Sequence, residues 1–232
     1  MKDPQPSRCG FFRYSGRMKY FASGLLFDND GVLVDSHGAA NEAWGQWASE
    51  FAPTVNWNDP ANAGQRAEDL VRRWIASPDL FEQANDRINQ LEQDSAHATV
   101  ALPGAVDLLH SIVDDIWTVC TSANTNLGRA RLEAAGLPVP KHLVTANHVQ
   151  RGKPHPDPYL LGAERLGFDP ANCVVFEDAV AGAQAGIDAG VGLVVGVSEF
   201  ALATDADIVV RDLTGITFDG EVLFIPDKNR LR

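Results

Sequence analysis

The apolar run Gly24-Leu25-Leu26-Phe27 ends in Asp28-Asn29-Asp30-Gly31. Carboxylates at the margin of a core cost on the order of several kcal/mol unless something pairs with them, so this pair demands a metal ion or a catalytic duty. Three further stretches with chemical content also close short apolar runs. Thr121-Ser122-Ala123-Asn124 opens a helical pattern that runs to Gly136. The free N–H groups and the dipole of a helix start suit a phosphate. Gly152-Lys153-Pro154-His155-Pro156-Asp157-Pro158 is a stiff loop holding a lysine, and Phe176-Glu177-Asp178-Ala179-Val180-Ala181-Gly182 adds two more carboxylates. Each stretch alone also reads as plain structure: an N-cap, a helix start, a surface turn. Their recurrence in one order, each at the end of an apolar run, points to a single site.

The elements that must position them follow from hydrophobic patterning. Short, near-continuous apolar runs recur at Leu25 to Phe27, Ile116 to Cys120, Leu143 to Thr145, Val174 to Phe176, Leu193 to Val197 and Ile208 to Val210, with helical segments between them. Runs of that kind, rather than alternating ones, indicate strands covered on both faces, which is the pattern of a parallel α/β sheet. A doubly wound, Rossmann-like fold follows, and in such a sheet ligands bind beyond the carboxyl ends of the strands. If strand geometry persists past Phe27, Asp28 and Asp30 project to one side, because side chains repeat every two residues.

Between Ser36 and Leu102 the pattern is helical without a convincing strand, so residues 37–101 read as an inserted α-helical domain. Ser77-Pro78 reads as a capped helix start, after which Leu80, Phe81, Ala84, Ile88 and Leu91 share a helical face. Leu102-Pro103-Gly104 is the return hinge, and Ala105 to Ile112 a helix leading to the next strand. The expected division is therefore an irregular N-terminal extension over residues 1–19, an α/β core over 20–36 and 102–232, and the helical insertion.

Composition bounds the function. The chain has 232 residues, 45% of them hydrophobic, enough for a sizeable core. No apolar run approaches the roughly 18 residues that span a bilayer, and the first residues lack a secretory segment, so a soluble cytoplasmic protein with no membrane partner is expected. The formal charge of −12 argues against nucleic-acid binding but leaves room for a small anionic substrate at a locally positive site. Cys9, Cys120 and Cys173 have no metal-ligand spacing and read as reduced thiols.

The stretches "FDNDGVLVDS", "VCTSAN", "RGKPHPDPYLLGAERLG" and "VVFEDAVAGAQAG" resemble the four motifs of the haloacid dehalogenase superfamily, in its sugar-phosphatase and glycerol-phosphate-phosphatase branch near β-phosphoglucomutase. The resemblance covers about residues 20 to 215, and it matches the insertion to the family's helical cap by position more than by sequence. It implies Mg²⁺-dependent hydrolysis of a small phosphorylated sugar or polyol through an aspartyl phosphate, by a monomer or weak dimer. Asp28 would be the nucleophile and Asp30 the general acid and base. Ser122, Ala123, Asn124 and Lys153 would hold the phosphoryl group. Asp28, the Asp30 carbonyl and Asp178 would bind Mg²⁺, with Glu177 a direct ligand or a partner of metal-bound water. In the cap, Ala63-Gly64-Gln65-Arg66 resembles the family's Gly-x-Arg loop, so Arg66 would reach the substrate. The Lys153–Pro154 bond would be cis.

A dehalogenase does not need Asp30. A phosphosugar mutase stays open, although Ala40 stands where the mutase branch has a histidine, with His37 out of register. A non-enzymatic phospho-receiver domain is shorter and carries its acceptor aspartate after a later strand.

Overall fold

The computed structural model describes residues 12–14 and 16–232. Along the chain its strands are β1 (Phe12–Tyr14), β2 (Arg17–Phe21), β3 (Gly24–Phe27), β4 (Val34–Asp35), β5 (Val100–Ala101), β6 (Trp117–Val119), β7 (Cys173–Glu177), β8 (Leu193–Val197), β9 (Ile208–Val210), β10 (Thr217–Phe218) and β11 (Val222–Pro226). The α-helices are α1 (His37–Phe51), α2 (Ala67–Trp74), α3 (Pro78–Ser95), α4 (Ala105–Ser111), α5 (Thr125–Ala134), α6 (Asp157–Leu166) and α7 (Val180–Asp188).

The central sheet has five strands in the order β6-β3-β7-β8-β9, all parallel. Successive side chains of β3 enter opposite layers: Leu25 and Phe27 pack with α4 residues Leu108 and Leu109, and Leu26 packs with Tyr159 and Ala163 of α6. Burial on both faces is why the run Leu25-Leu26-Phe27 carries no polar residue. Phe27 stacks on Phe176 with ring centroids 4.7 Å apart, locking β3 against β7. The chain order reverses at β3, whose neighbours are β6 on one side and β7 on the other, and the crevice beyond the carboxyl ends at such a point is where open α/β sheets bind ligands.

Three expectations are corrected. Of the stretch 1–19 read as irregular, residues 1–11 and 15 lie outside the described residues, as does Cys9, but Phe12–Tyr14 and Arg17–Phe21 are strands. β2 pairs antiparallel with β11 in a second sheet, with Met18 and Tyr20 turned to the core. A pairing partner some two hundred residues downstream leaves no local trace. Leu143 to Thr145 is not a strand; Val144 makes a single bridge to Cys120, because Thr145 turns at once into a short 3₁₀ segment whose capping box it shares with His148. Within the insertion, Val100–Ala101 pairs antiparallel with Val34–Asp35, so the two crossings between core and insertion are tied side by side.

The insertion has its own apolar cluster, in which Phe81, Ala84 and Ile88 of α3 meet Ala43 and Trp47 of α1 and Val71 of α2. Leu80 is exposed, and Ser77 sits at the N-cap without a side-chain capping bond; proline at the first helical turn marks this start. Trp47 is fully buried, and its indole N–H donates to the Ala84 carbonyl at 2.8 Å. Trp47→Ala is therefore expected to cost about 3–5 kcal/mol, read as a lower urea midpoint by circular dichroism.

Candidate active site

The sheet register carries one residue past β3, since the Asp28 N–H donates to the Phe176 carbonyl at 2.9 Å. The chain then turns sharply. The Asn29 carbonyl accepts from the N–H groups of Leu33 and Val34 at 2.9 and 3.0 Å, and the Gly31 N–H donates to the Val34 carbonyl at 2.8 Å. Gly31 has φ +79°, and a Cβ there would fall on the Asp178 carboxylate, so glycine satisfies both the backbone and the crowding. Asp28 and Asp30 line one cavity of about 1570 Å³ between the sheet edge and the insertion. The Asn29 side chain is buried and makes no hydrogen bond among the described residues.

Lys153 enters this site from the loop before α6, across a cis bond to Pro154. Its ammonium, with no exposed side-chain surface, lies 2.6 Å from Asp28 Oδ1 and 2.7 Å from Glu177 Oε1. Glu177 is itself held: Oε1 accepts from the Tyr159 hydroxyl at 2.7 Å, and Oε2 from the N–H groups of Asp178 and Ala179 at 3.0 and 3.2 Å. A Cβ on Gly182 of α7 would overlap the Glu177 carboxylate, so this helix approaches only as glycine. Burial pushes the Asp28 carboxyl up to about 7, with Lys153 opposing and Glu177 and Asp30 adding to the rise. Burial, then the charges of Glu177 and Asp28, raise Asp178 well above the usual carboxylate range. Burial works against the Lys153 ammonium, but Asp28 and Glu177 outweigh it and hold it above its ordinary value.

Asp28, Glu177 and Asp178 each bring a ligand atom to within 4.8 Å of the others. Three buried carboxylates facing one ammonium leave a deficit of positive charge, and the donors are all hard oxygens. That set fits Mg²⁺.

Ser122, Ala123 and Asn124 form the lip of the cavity at the start of α5. Each is engaged. The Ser122 hydroxyl donates to the Gly64 carbonyl of the insertion at 2.7 Å, and the Ala123 N–H donates to Thr121 Oγ1 at 3.1 Å. Asn124 Oδ1 caps α5 by accepting from the Leu127 N–H, and its amide nitrogen donates to Asn89 Oδ1 of α3 at 2.8 Å. A phosphate would exchange for these partners. Arg66 lines the same cavity, but its guanidinium is paired with Asp69 at 2.7 and 2.8 Å, and its stem lies against Gly152.

Sequence reasoning passed over three residues of this site. Tyr159 orients Glu177; Arg131 of α5 lies 3.0 Å from Asp30 Oδ1; and Glu92 of α3 lies 3.2 Å from Arg131. An arginine and a glutamate within helical patterns read as ordinary helix positions, so no local signal marks them.

Similarity to known proteins runs along most of the chain. The model of a hydrolase family, the haloacid dehalogenase-like hydrolases, matches residues 22–190. The chain is 37% identical to hexitol phosphatase A of Escherichia coli K12 over 200 residues, which is 84% of this chain and 93% of the relative. It is 32% identical to glycerol-1-phosphate phosphohydrolase 2 of Saccharomyces cerevisiae over 232 aligned positions, covering 87% of this chain and 89% of the relative. Among solved structures, β-phosphoglucomutase of Clostridium difficile superposes with a TM-score of 0.75 over 85% of this chain and 94% of that one; at 22% identity the likeness speaks for the fold.

The crowded carboxylates set a pH dependence for the metal-free protein. With Asp28 raised to about 7 from 3.8, the folded state holds a proton that the unfolded state has lost between those values. Stability should therefore fall as pH rises through that window, with Asp178 adding to the slope. Asp28→Asn is expected to flatten the slope and to raise Tm at pH 8 in chelator, by about 2–4 °C for each kcal/mol of relief, measured by calorimetry across pH.

Proposed function

The chain belongs to the haloacid dehalogenase-like hydrolases, and from that premise we propose that it hydrolyses the phosphate monoester of a small sugar or polyol, with Mg²⁺ and through an aspartyl phosphate on Asp28. The observation that carries the reading is the buried Asp28–Lys153–Glu177 array at the carboxyl edge of the sheet, facing a cavity whose lining includes the amides Asn41, Asn62, Gln65, Asn89 and Gln93, of which Asn62 and Gln65 accept from Arg73 and Asn89 accepts from Asn124. Primary amides both donate and accept, as hydroxyl groups do, so Asn41 and Gln93 suit a hydroxylated leaving group. Two relatives bear names that point the same way, to a hexitol phosphate and to glycerol 1-phosphate.

In this reading an Asp28 carboxylate oxygen attacks phosphorus and the bond from phosphorus to the leaving oxygen breaks. Asp30 gives that oxygen a proton, so the alcohol departs neutral. Asp30 then takes a proton from water, which attacks phosphorus and breaks the bond to Asp28, releasing inorganic phosphate. A positioned acid and base of this kind contributes about 10²–10⁴-fold. Lys153 and Ser122, with the N–H groups at the start of α5, hold the phosphoryl oxygens. Asp28, Asp178 and the Asp30 carbonyl, with Glu177 beside them, would hold Mg²⁺, which when bound relieves the repulsion between the anionic nucleophile and the anionic substrate. The helical insertion acts as a cap that excludes bulk water, and Arg66, braced by Asp69 within the insertion, meets the substrate where it lines the cavity.

The test is phosphate release from glycerol 1-phosphate and hexitol phosphates. Chelation with EDTA should abolish it and Mg²⁺ restore it; turnover that survives complete metal removal rules the mechanism out. Asp28→Asn should abolish both turnover and the acid-stable incorporation of labelled phosphoryl groups. With glucose 1-phosphate and a bisphosphate primer, phosphate should accumulate faster than any isomerised sugar phosphate. The reverse order would make the protein a mutase.

A further inference from the structure

Arg131 is 5% exposed, on a helix of the core, yet it is not spent on packing alone. Its Nη1 lies 3.0 Å from Asp30 Oδ1 and its Nη2 3.2 Å from Glu92 Oε1. Glu92 is 8% exposed and belongs to α3, in the helical insertion, so a single guanidinium spans the seam between the two layers. Carboxylates and a guanidinium taken out of water lose hydration that their attraction only partly returns, and apolar side chains of similar volume would seal the seam at lower cost. An ion pair kept there, in contact with the one carboxylate that must move protons, calls for a further reason.

Geometry supplies one. The Ser36 hydroxyl donates to the same Asp30 Oδ1 at 2.5 Å, so both polar partners of Asp30 gather on one oxygen. Among the described residues, Oδ2 has no hydrogen-bond partner, and Asp30 lines the cavity. A guanidinium is a planar fork whose N–H directions are fixed, so gripping Glu92 with one arm sets the direction of the other.

We propose that Arg131 is a positioning residue that fixes Asp30 with Oδ2 presented to the leaving oxygen, and that Glu92 is its counter-charge, so that the proton donor is assembled when α3 seats on α5. The inference rests on the phosphatase reading above.

Leaving-group dependence tests it. An alkoxide must be protonated as it departs, whereas a nitrophenolate leaves without a proton, so a misplaced Asp30 penalises alkyl esters selectively. kcat/KM reports only the steps through phosphoryl transfer, and is measured with nitrophenyl phosphate and with the better of glycerol 1-phosphate and a hexitol phosphate. Arg131→Met is expected to lower the alkyl-to-aryl ratio of kcat/KM by about 10²-fold. Glu92→Gln should lower it about tenfold, and Arg131→Lys should recover part of the loss. If Arg131→Met does not fold, Arg131→Lys and Glu92→Gln carry the comparison with wild type. Parallel losses on both esters, with the ratio unchanged, overturn the proposal. A wild type that releases no phosphate from any ester with Mg²⁺ instead removes the phosphatase reading itself.

Discussion

A lysine ammonium without exposed surface, clasped between Asp28 and Glu177, is the interaction on which the site depends. A buried cation needs complete pairing, and the pairs must themselves be held, or the charge is better left in water. The surroundings meet that demand in sequence. Tyr159 and the first N–H groups before α7 fix Glu177, Gly182 leaves room for its carboxylate, and Gly31 leaves room for Asp178. Removing one of these partners would expose the next to unpaired burial, so residues far apart in the chain depend on one another.

The same array sets the charge balance of the site. Satisfying Lys153 still leaves more carboxylates than cations, and burial keeps water from diluting the imbalance. Asp28 and Asp178 are accordingly held above the usual carboxylate range, and in the function proposed above a divalent ion would relieve that crowding. The parallel sheet makes the crowding possible, because strand ends at a topological switch point converge on one crevice and backbone hydrogen bonding, rather than the charges, sets their spacing.

Above that crevice, the insertion is joined to the core by more than its two crossings. Gly64 to Ser122, Asn89 to Asn124, Arg66 to Val149 and Glu92 to Arg131 are all polar contacts across the seam. Several of these partners are the groups proposed to meet phosphate or the proton donor. In the function proposed above, substrate entry and seam geometry would therefore draw on the same hydrogen bonds, and the insertion would take part in the chemistry as well as cover it.

By itself the sequence determined the parallel sheet and the cluster at its carboxyl edge. Both rest on local rules: unbroken apolar runs for strands buried on two faces, and carboxylates, a helix start and a lysine loop placed where those runs stop. The cis bond before Pro154 was legible only through the resemblance of the motifs, and the turn at Gly31 came with the tertiary structure. Tertiary structure alone decided the pairings. β2 found β11 across almost the whole chain, and Val144 stopped at one bridge. Tyr159 reached Glu177 from 18 residues away and Arg131 reached Glu92 from 39. A side chain's partner depends on which surfaces folding presses together, and residue type and periodicity record only which face of its own element it occupies.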